Sequence, residues 1–265
     1  MHWYVADETN NDATPGQFFI YGGLVIREDQ FSGVDRLVSE IRHKYGYVAG
    51  DQFKFHTRSR PAQVSIEDAR LAKQELVEGL GALDVRMIVY VILHDIAQPQ
   101  NRMNFALNTV VWAFHRLLEA ESATGAMLID RDDERHTHLA SLFQHGLTID
   151  GNVLPVSDRV KFFGMTSDNA SNVSSAVDIT LGAFRFCVNA AGGQGNEVVA
   201  RDIFPPLAKL LWQVEERGVS RIGGYGFYSR PATVQVRAYR EKYRHLLEAL
   251  AEYSNAAADE GDSGV

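Results

Sequence analysis

Three aspartates stand where short carboxylates can take a cation. Asp7 closes an apolar run, Trp3-Tyr-Val-Ala-Asp7, with Glu8 directly after it. Asp130 closes another, Ala126-Met-Leu-Ile-Asp130, and Asp178 interrupts a third, Val177-Asp178-Ile179-Thr-Leu181. An acid that follows a hydrophobic strand sits at the rim of a sheet, where a ligand reaches it. Hard divalent ions such as Mg²⁺ and Mn²⁺ prefer oxygen ligands of this kind. Two such ions, roughly 3.5–4 Å apart on rigid carboxylates, activate water and steady a leaving oxygen. Convergence of Asp7, Asp130 and Asp178 as metal ligands therefore predicts hydrolysis of a phosphodiester. Each acid alone also reads as a turn, cap or solvated residue. Asp178 does so least, because Val177, Ile179 and Leu181 leave it little polar face. Glu8 is a ligand or positions water only if the strand ends or bends there, since strand neighbours point to opposite faces. Otherwise it is a solvated strand-end charge.

A second pattern could hold phosphate. In Phe53-Lys-Phe-His-Thr-Arg-Ser-Arg60 the basic residues Lys54, His56, Arg58 and Arg60 fall on every second position. An extended segment would project all four to one side, with Phe53 and Phe55 anchoring the other. Lys54 lies nearest that anchor and is the candidate catalytic cation; His56 and Arg58 are candidate substrate contacts. The competing reading is an edge strand blunted by charge. The crowd Asp132, Asp133, Glu134, His136 and His138 lacks two histidines four apart around a glutamate. It reads as an acidic helix start, with Asp133 as its candidate secondary ligand. No nucleophile elbow, Walker loop or cysteine–histidine pair is present.

These residues need a scaffold. The turn formers Thr9–Gly16 join strands over 2–7 and 17–26 into a hairpin. Gly22 and Gly23 in its second strand predict a bulge or a close backbone approach. Helical spacing follows over 30–46 and over 65–83, where Ser65 and Asp68 nearly match a capping box. A strand over 84–94, a helix over 102–121 and the strand ending at Asp130 come next. Then follow a helix over 134–146, a strand over 159–163 and a polar loop, Thr166–Asn172. The helix carrying Asp178 spans 173–190. Helices over 203–217 and 232–254 close the chain, and 255–265 reads as a disordered tail. Strands alternating with helices after a hairpin predict an α/β fold, a mixed sheet covered by helices.

Composition narrows the classes. The chain has 265 residues, 45% hydrophobic and 23% charged, as one large domain with insertions would. No apolar run reaches the roughly 20 residues of a membrane helix, and the N-terminus lacks signal-peptide features. Cys187 is the only cysteine, which excludes an internal disulfide and a cysteine metal cage. A cytoplasmic location is the expectation. The net charge of −8 means that nucleic acid would be held by a local basic patch or by cations.

Several of these motifs occur together elsewhere. Tyr4-Val-Ala-Asp7-Glu8-Thr9 followed by Phe18-Phe-Ile-Tyr-Gly22-Gly23 resembles the opening of the domain of unknown function 3800 family. Phe53-Lys54 resembles its Glu-x-Lys element, and Leu128-Ile-Asp130 its central strand aspartate. Ser167 through Asp178 to Gly182-Ala183 resembles its late loop and Gln-x-x-Asp helix. The resemblance covers about residues 3–190. It implies a ribonuclease H-like domain over 1–200, with the helices at 30–46 and 65–83 inserted, and a helical C-terminal extension over 201–254. It also implies a metal-dependent nuclease acting on DNA or RNA with Mg²⁺ or Mn²⁺. Thr9 replaces the family's serine, Gln52 its glutamate and Ser175 its glutamine. The last two departures favour an alternative, a catalytically silent module that binds nucleic acid or a protein. A further alternative makes the helix at 232–254 a docking surface for a protein partner or a second copy.

Overall fold

The turn formers after Thr9 do close a hairpin. β1 (His2–Thr9) pairs antiparallel with β2 (Phe18–Arg27) in unbroken register, from His2 opposite Arg27 to Thr9 opposite Ile20. The structure is a computed structural model and describes residues 1–131, 133–166 and 171–259. β2 also pairs antiparallel with β3 (Arg86–Leu93). Flanked on both edges and covered on both faces, β2 is apolar from Phe18 to Ile26 instead of alternating. Of the two meanings offered for Gly22 and Gly23, the close approach holds. A Cβ on Gly22 would lie 2.6 Å from the Ile88 carbonyl oxygen, and one on Gly23 2.6 Å from the Ala6 Cα.

β4 (Gly125–Asp130) lies parallel to β1 on its other edge, and β7 (Val160–Thr166) parallel to β4. β10 (Phe227–Arg230) lies parallel to β3. The sheet order is therefore β10-β3-β2-β1-β4-β7, and β2 alone runs against the rest. The expected mixed sheet is present. The carboxyl ends of β1 and β4 share one rim, where ligands commonly bind in open α/β sheets.

Strand alternation builds two cores. On one face Val5, Ile20, Leu24, Val89 and Val91 pack with α1 (Phe31–Lys44), α2 (Ile66–Ala82) and α5 (Asn172–Ala191). α6 (Glu197–Leu210) and α7 (Arg237–Asp259) complete that layer. On the other face Tyr4, Tyr21, Ile88, Tyr90 and Met127 meet α3 (Pro99–Ala120) and α4 (Asp133–His145). Helix starts follow their caps. Ser65 accepts from the Asp68 amide at 3.0 Å, and Asn196 from the Val198 amide at 3.0 Å.

The C-terminal third departs from expectation. The helix expected over 203–217 is α6, shifted back to the Asn196 cap. After Leu210 the chain instead turns extended, and the Trp212 amide donates to the Met87 carbonyl at 2.9 Å. β8 (Val214–Glu216) and β9 (Val219–Arg221) then form a hairpin. Its turn residues Arg217 and Gly218 both have positive φ, 54° and 75°, the mirror-type turn that suits strand twist. A second small hairpin, β5 (Leu147–Ile149) with β6 (Asn152–Leu154), turns at Asp150-Gly151. Both hairpins are too short and too polar to show alternation. The extension expected as purely helical also supplies β10 to the sheet. α7 continues through Asp259, so 255–259 are helical, not tail; residues 260–265 lie outside the described residues. The apolar face of α7, with Tyr243, Leu246, Leu250 and Tyr253, is spent on the core. Among the described side chains, the face left to solvent is mainly charged, with Leu247 exposed on it. Among the described residues no helix is long and apolar enough to cross a membrane.

Candidate metal centre

The β1–β4 register sets Ala6 opposite Ile129, so Asp7 and Asp130 are neighbours one step further, at the rim. Alternation decides their direction. Asp7 follows Val5, and Asp130 follows Leu128, toward the face that α5 covers. α5 brings Asp178 to the same place from above. Asp7, Asp130 and Asp178 line one recess of about 30 Å³ with Lys54, Thr166 and Ser175. That space takes a cation or a water, not an organic group. An adjoining recess of about 100 Å³ shares Asp7, Lys54 and Asp178. Glu8, Thr9, His56 and Arg185 also line it, over a floor of Phe55, Leu181 and Gly182.

The tightest acidic group differs from the trio. Asp7, Glu8 and Asp130 each offer an oxygen within 4.8 Å of the others. Asp178 is outside that group, and its Oδ2 accepts the Phe55 amide at 2.7 Å. Glu8 keeps the alternation of its strand and turns toward α4. There Arg135 meets it with both terminal nitrogens, Nη1 to Oε2 at 2.6 Å. The two side chains are 9% and 12% exposed, so this ion pair is largely shielded from solvent. The strand's end still leaves a Glu8 oxygen near Asp7 and Asp130, and Asp7 Oδ1 accepts the Glu8 amide at 2.7 Å. Tyr21, cross-strand from Glu8, is fully buried beneath this group. Burial first, then the nearby Glu8 charge, raise its hydroxyl pKa far above the ordinary tyrosine range.

The basic strip is corrected by the structure. Residues 51–56 are in no strand, and a 3₁₀ turn follows at Thr57–Ser59. The reason lies in where the backbone groups go. The Phe55 amide donates to Asp178, and the Phe55 carbonyl accepts from Lys73 Nζ at 2.8 Å. Side chains thus replace a strand partner. Phe53 is buried, and Phe55 rests so closely on α5 that a Cβ on Gly182 would overlap it. Lys54 is left facing the acids and lines both recesses. His56 lines the second, while its Nδ1 accepts the Arg58 amide at 3.1 Å. The exposed Arg58 side chain lines neither.

Three contributors escaped the sequence reading. Arg185 follows Asp178 and Gly182 at helical spacing on α5, and its Nη1 donates to Thr9 Oγ1 at 3.1 Å. Arg135 stands just after the acidic crowd of 132–134. Lys73 occupies the apolar stripe of α2 among Ala69, Ala72 and Leu76, where a lysine is out of place. The side chain of Asp133, and residues 132 and 167–170 with Ser167, lie outside the described residues.

Burial lowers the Lys73 pKa to about 8, with Asp178 opposing the fall and Arg60 adding to it. Between that value and the ordinary lysine range the folded chain binds fewer protons than the unfolded one. Stability contributed by this group therefore rises as pH increases through the window and is lost as pH falls through about 8. Urea unfolding in EDTA at pH 7.5 and 9.5 checks this. Wild type gains stability at the higher pH relative to Lys73→Met, and parallel behaviour would refute it.

Comparison with protein-family models, with curated proteins and with solved structures finds no match for the chain.

Proposed function

We propose that the chain is a nuclease that hydrolyses phosphodiester bonds in nucleic acid with Mg²⁺ or Mn²⁺. One observation carries this reading. Asp7, Asp130 and Asp178, from distant parts of the chain, line a single recess of cation size. The donor set is all carboxylate oxygen, the chemistry of a hard divalent ion. Asp7, Asp130 and Asp178 would hold it, with Glu8 adding an oxygen. When bound, the ion supplies positive charge to a phosphoryl oxygen and lowers the pKa of water.

The protein's own groups do the rest. Lys54, His56 and Arg185 line the adjoining recess and would orient the phosphate. The Phe55 clamp between Asp178 and Lys73 fixes Lys54 between the acids. The sheet supports a ribonuclease H-like layout. Its antiparallel β1-β2-β3 meander is extended by parallel β4 and β7, with α1 and α2 inserted after β2. The motif order that resembles the domain of unknown function 3800 family supports it as well. The ion pair of Glu8 with Arg135 occupies one acid. It favours the second reading, a silent module that binds nucleic acid without turnover.

Calorimetry with Mn²⁺ tests the metal site. Wild type gives a saturable heat, and Asp7→Asn binds at least about tenfold more weakly, in the range for a lost metal-site contact. Identical silent traces from both proteins reject the centre.

A further inference from the structure

Beyond the two small recesses lies a larger one of about 590 Å³. It joins the carboxylate recess through Ser175, which lines both. Its walls carry Asp35, Arg42, Asp51, Gln52 and Asn172. We infer that this recess receives one nucleobase, carrying an exocyclic amino group, from the nucleotide whose phosphate lies at the acids. The inference rests on the nuclease reading and names what its substrate presents to this wall.

Size makes the first argument. The recess at the acids, about 30 Å³, and the adjoining one, about 100 Å³, fall below the few hundred Å³ of an organic ligand site. The third recess is within that range. Charge makes the second. A cation held by Asp7, Asp130 and Asp178, with Lys54 and Arg185 beside it, would draw the phosphate there, whereas the third recess sets only Arg42, itself turned to backbone carbonyls, against Asp35 and Asp51. A carboxylate instead accepts from an amino group such as cytosine N4. Availability makes the third. Arg42 is committed to the Val48 and Asp51 carbonyls, at 3.1 and 2.9 Å. Asp51 Oδ2 is committed to the Val48 amide and Gln63. Asn172 Nδ2 is held by Asp35 Oδ1 at 2.8 Å and by Ser39. Asp35 Oδ2, the Gln52 amide and the Ser175 hydroxyl, which no described residue hydrogen-bonds, can read a base edge, with Asp51 Oδ1 and Asn172 Oδ1 as further acceptors. Asp35 accepts from the amino group, while Gln52 can both donate and accept.

Calorimetry on the full chain with saturating Mn²⁺ tests this, using CMP, UMP and ribose 5-phosphate as probes. CMP binds about tenfold more tightly than ribose 5-phosphate, and clearly more tightly than UMP, which has a carbonyl where CMP has the amino group. Asp35→Asn and Gln52→Ala, both at exposed positions, bring the CMP-to-UMP ratio toward one. They leave Mn²⁺ and ribose 5-phosphate binding unchanged. Equal affinity for all three probes, or a CMP preference intact in both variants, overturns the proposal. Mn²⁺ binding without base preference sinks this inference alone. A CMP preference without Mn²⁺ binding keeps the nucleobase recess and rejects the nuclease reading, and silence toward both rejects both.

Discussion

Asp130→Ala lowers Mn²⁺-dependent phosphodiester cleavage by about a thousandfold and leaves folding stability almost unchanged. The magnitude follows from the several kcal/mol of charge stabilisation that a metal centre supplies, at about 1.4 kcal/mol per tenfold in rate. The separation of activity from stability follows from position. Asp130 is the last residue of β4, half-buried, and its carboxylate hydrogen-bonds no described residue. Nothing in the fold leans on it. Asp178 differs, because its Oδ2 holds the Phe55 amide, so its replacement mixes a lost ligand with a loosened strap. The assay compares wild type and Asp130→Ala on single- and double-stranded DNA and RNA with Mn²⁺, alongside urea unfolding. Equal cleavage by the two proteins would mean that the activity arises elsewhere. A large stability loss would mean that the residue is structural.

The trio could be read in the sequence because each acid breaks a pattern that burial otherwise enforces. A strand that ends in aspartate announces a rim, and an aspartate amid Val177, Ile179 and Leu181 announces a polar partner inside. The hairpin, the helical periods and the mixed sheet were legible for the same reason. The segment after Phe53 was not. Alternating charges describe a strand only when a neighbouring strand satisfies the backbone. Here Asp178 and Lys73 do so from two helices, a tertiary arrangement invisible in local spacing. Arg185 had a readable signal, two helical turns beyond Asp178 on the same face. The hairpin at Asp150-Gly151 had one too, since that dipeptide favours positive φ at both positions. The hairpin at Arg217-Gly218 had less, because arginine seldom takes that conformation.

Arg135→Met destabilises the fold by about 3–5 kcal/mol at neutral pH, the cost of leaving a buried carboxylate without its counter-ion. Glu8 is 9% exposed and Arg135 12%, so water reaches the carboxylate only through the small recess that Glu8 lines and replaces the guanidinium poorly. A double-mutant cycle separates this pair from lost packing. Glu8→Gln in the Arg135→Met background recovers much of the loss, because a neutral amide tolerates the site. Urea unfolding of the four proteins gives the coupling, and additive effects would show that the pair is not the source. The same series asks whether Glu8 belongs to the metal centre. Its carboxylate lies beside Asp7 and Asp130, so Arg135 and a bound cation compete for one charge. A ligand that binds only the folded state stabilises it by mass action. Mn²⁺ therefore raises the melting temperature of Arg135→Met more than that of wild type. In Glu8→Gln that additional rise is absent. An equal Mn²⁺ shift with and without Arg135 would place Glu8 outside the centre, as the partner of α4 alone.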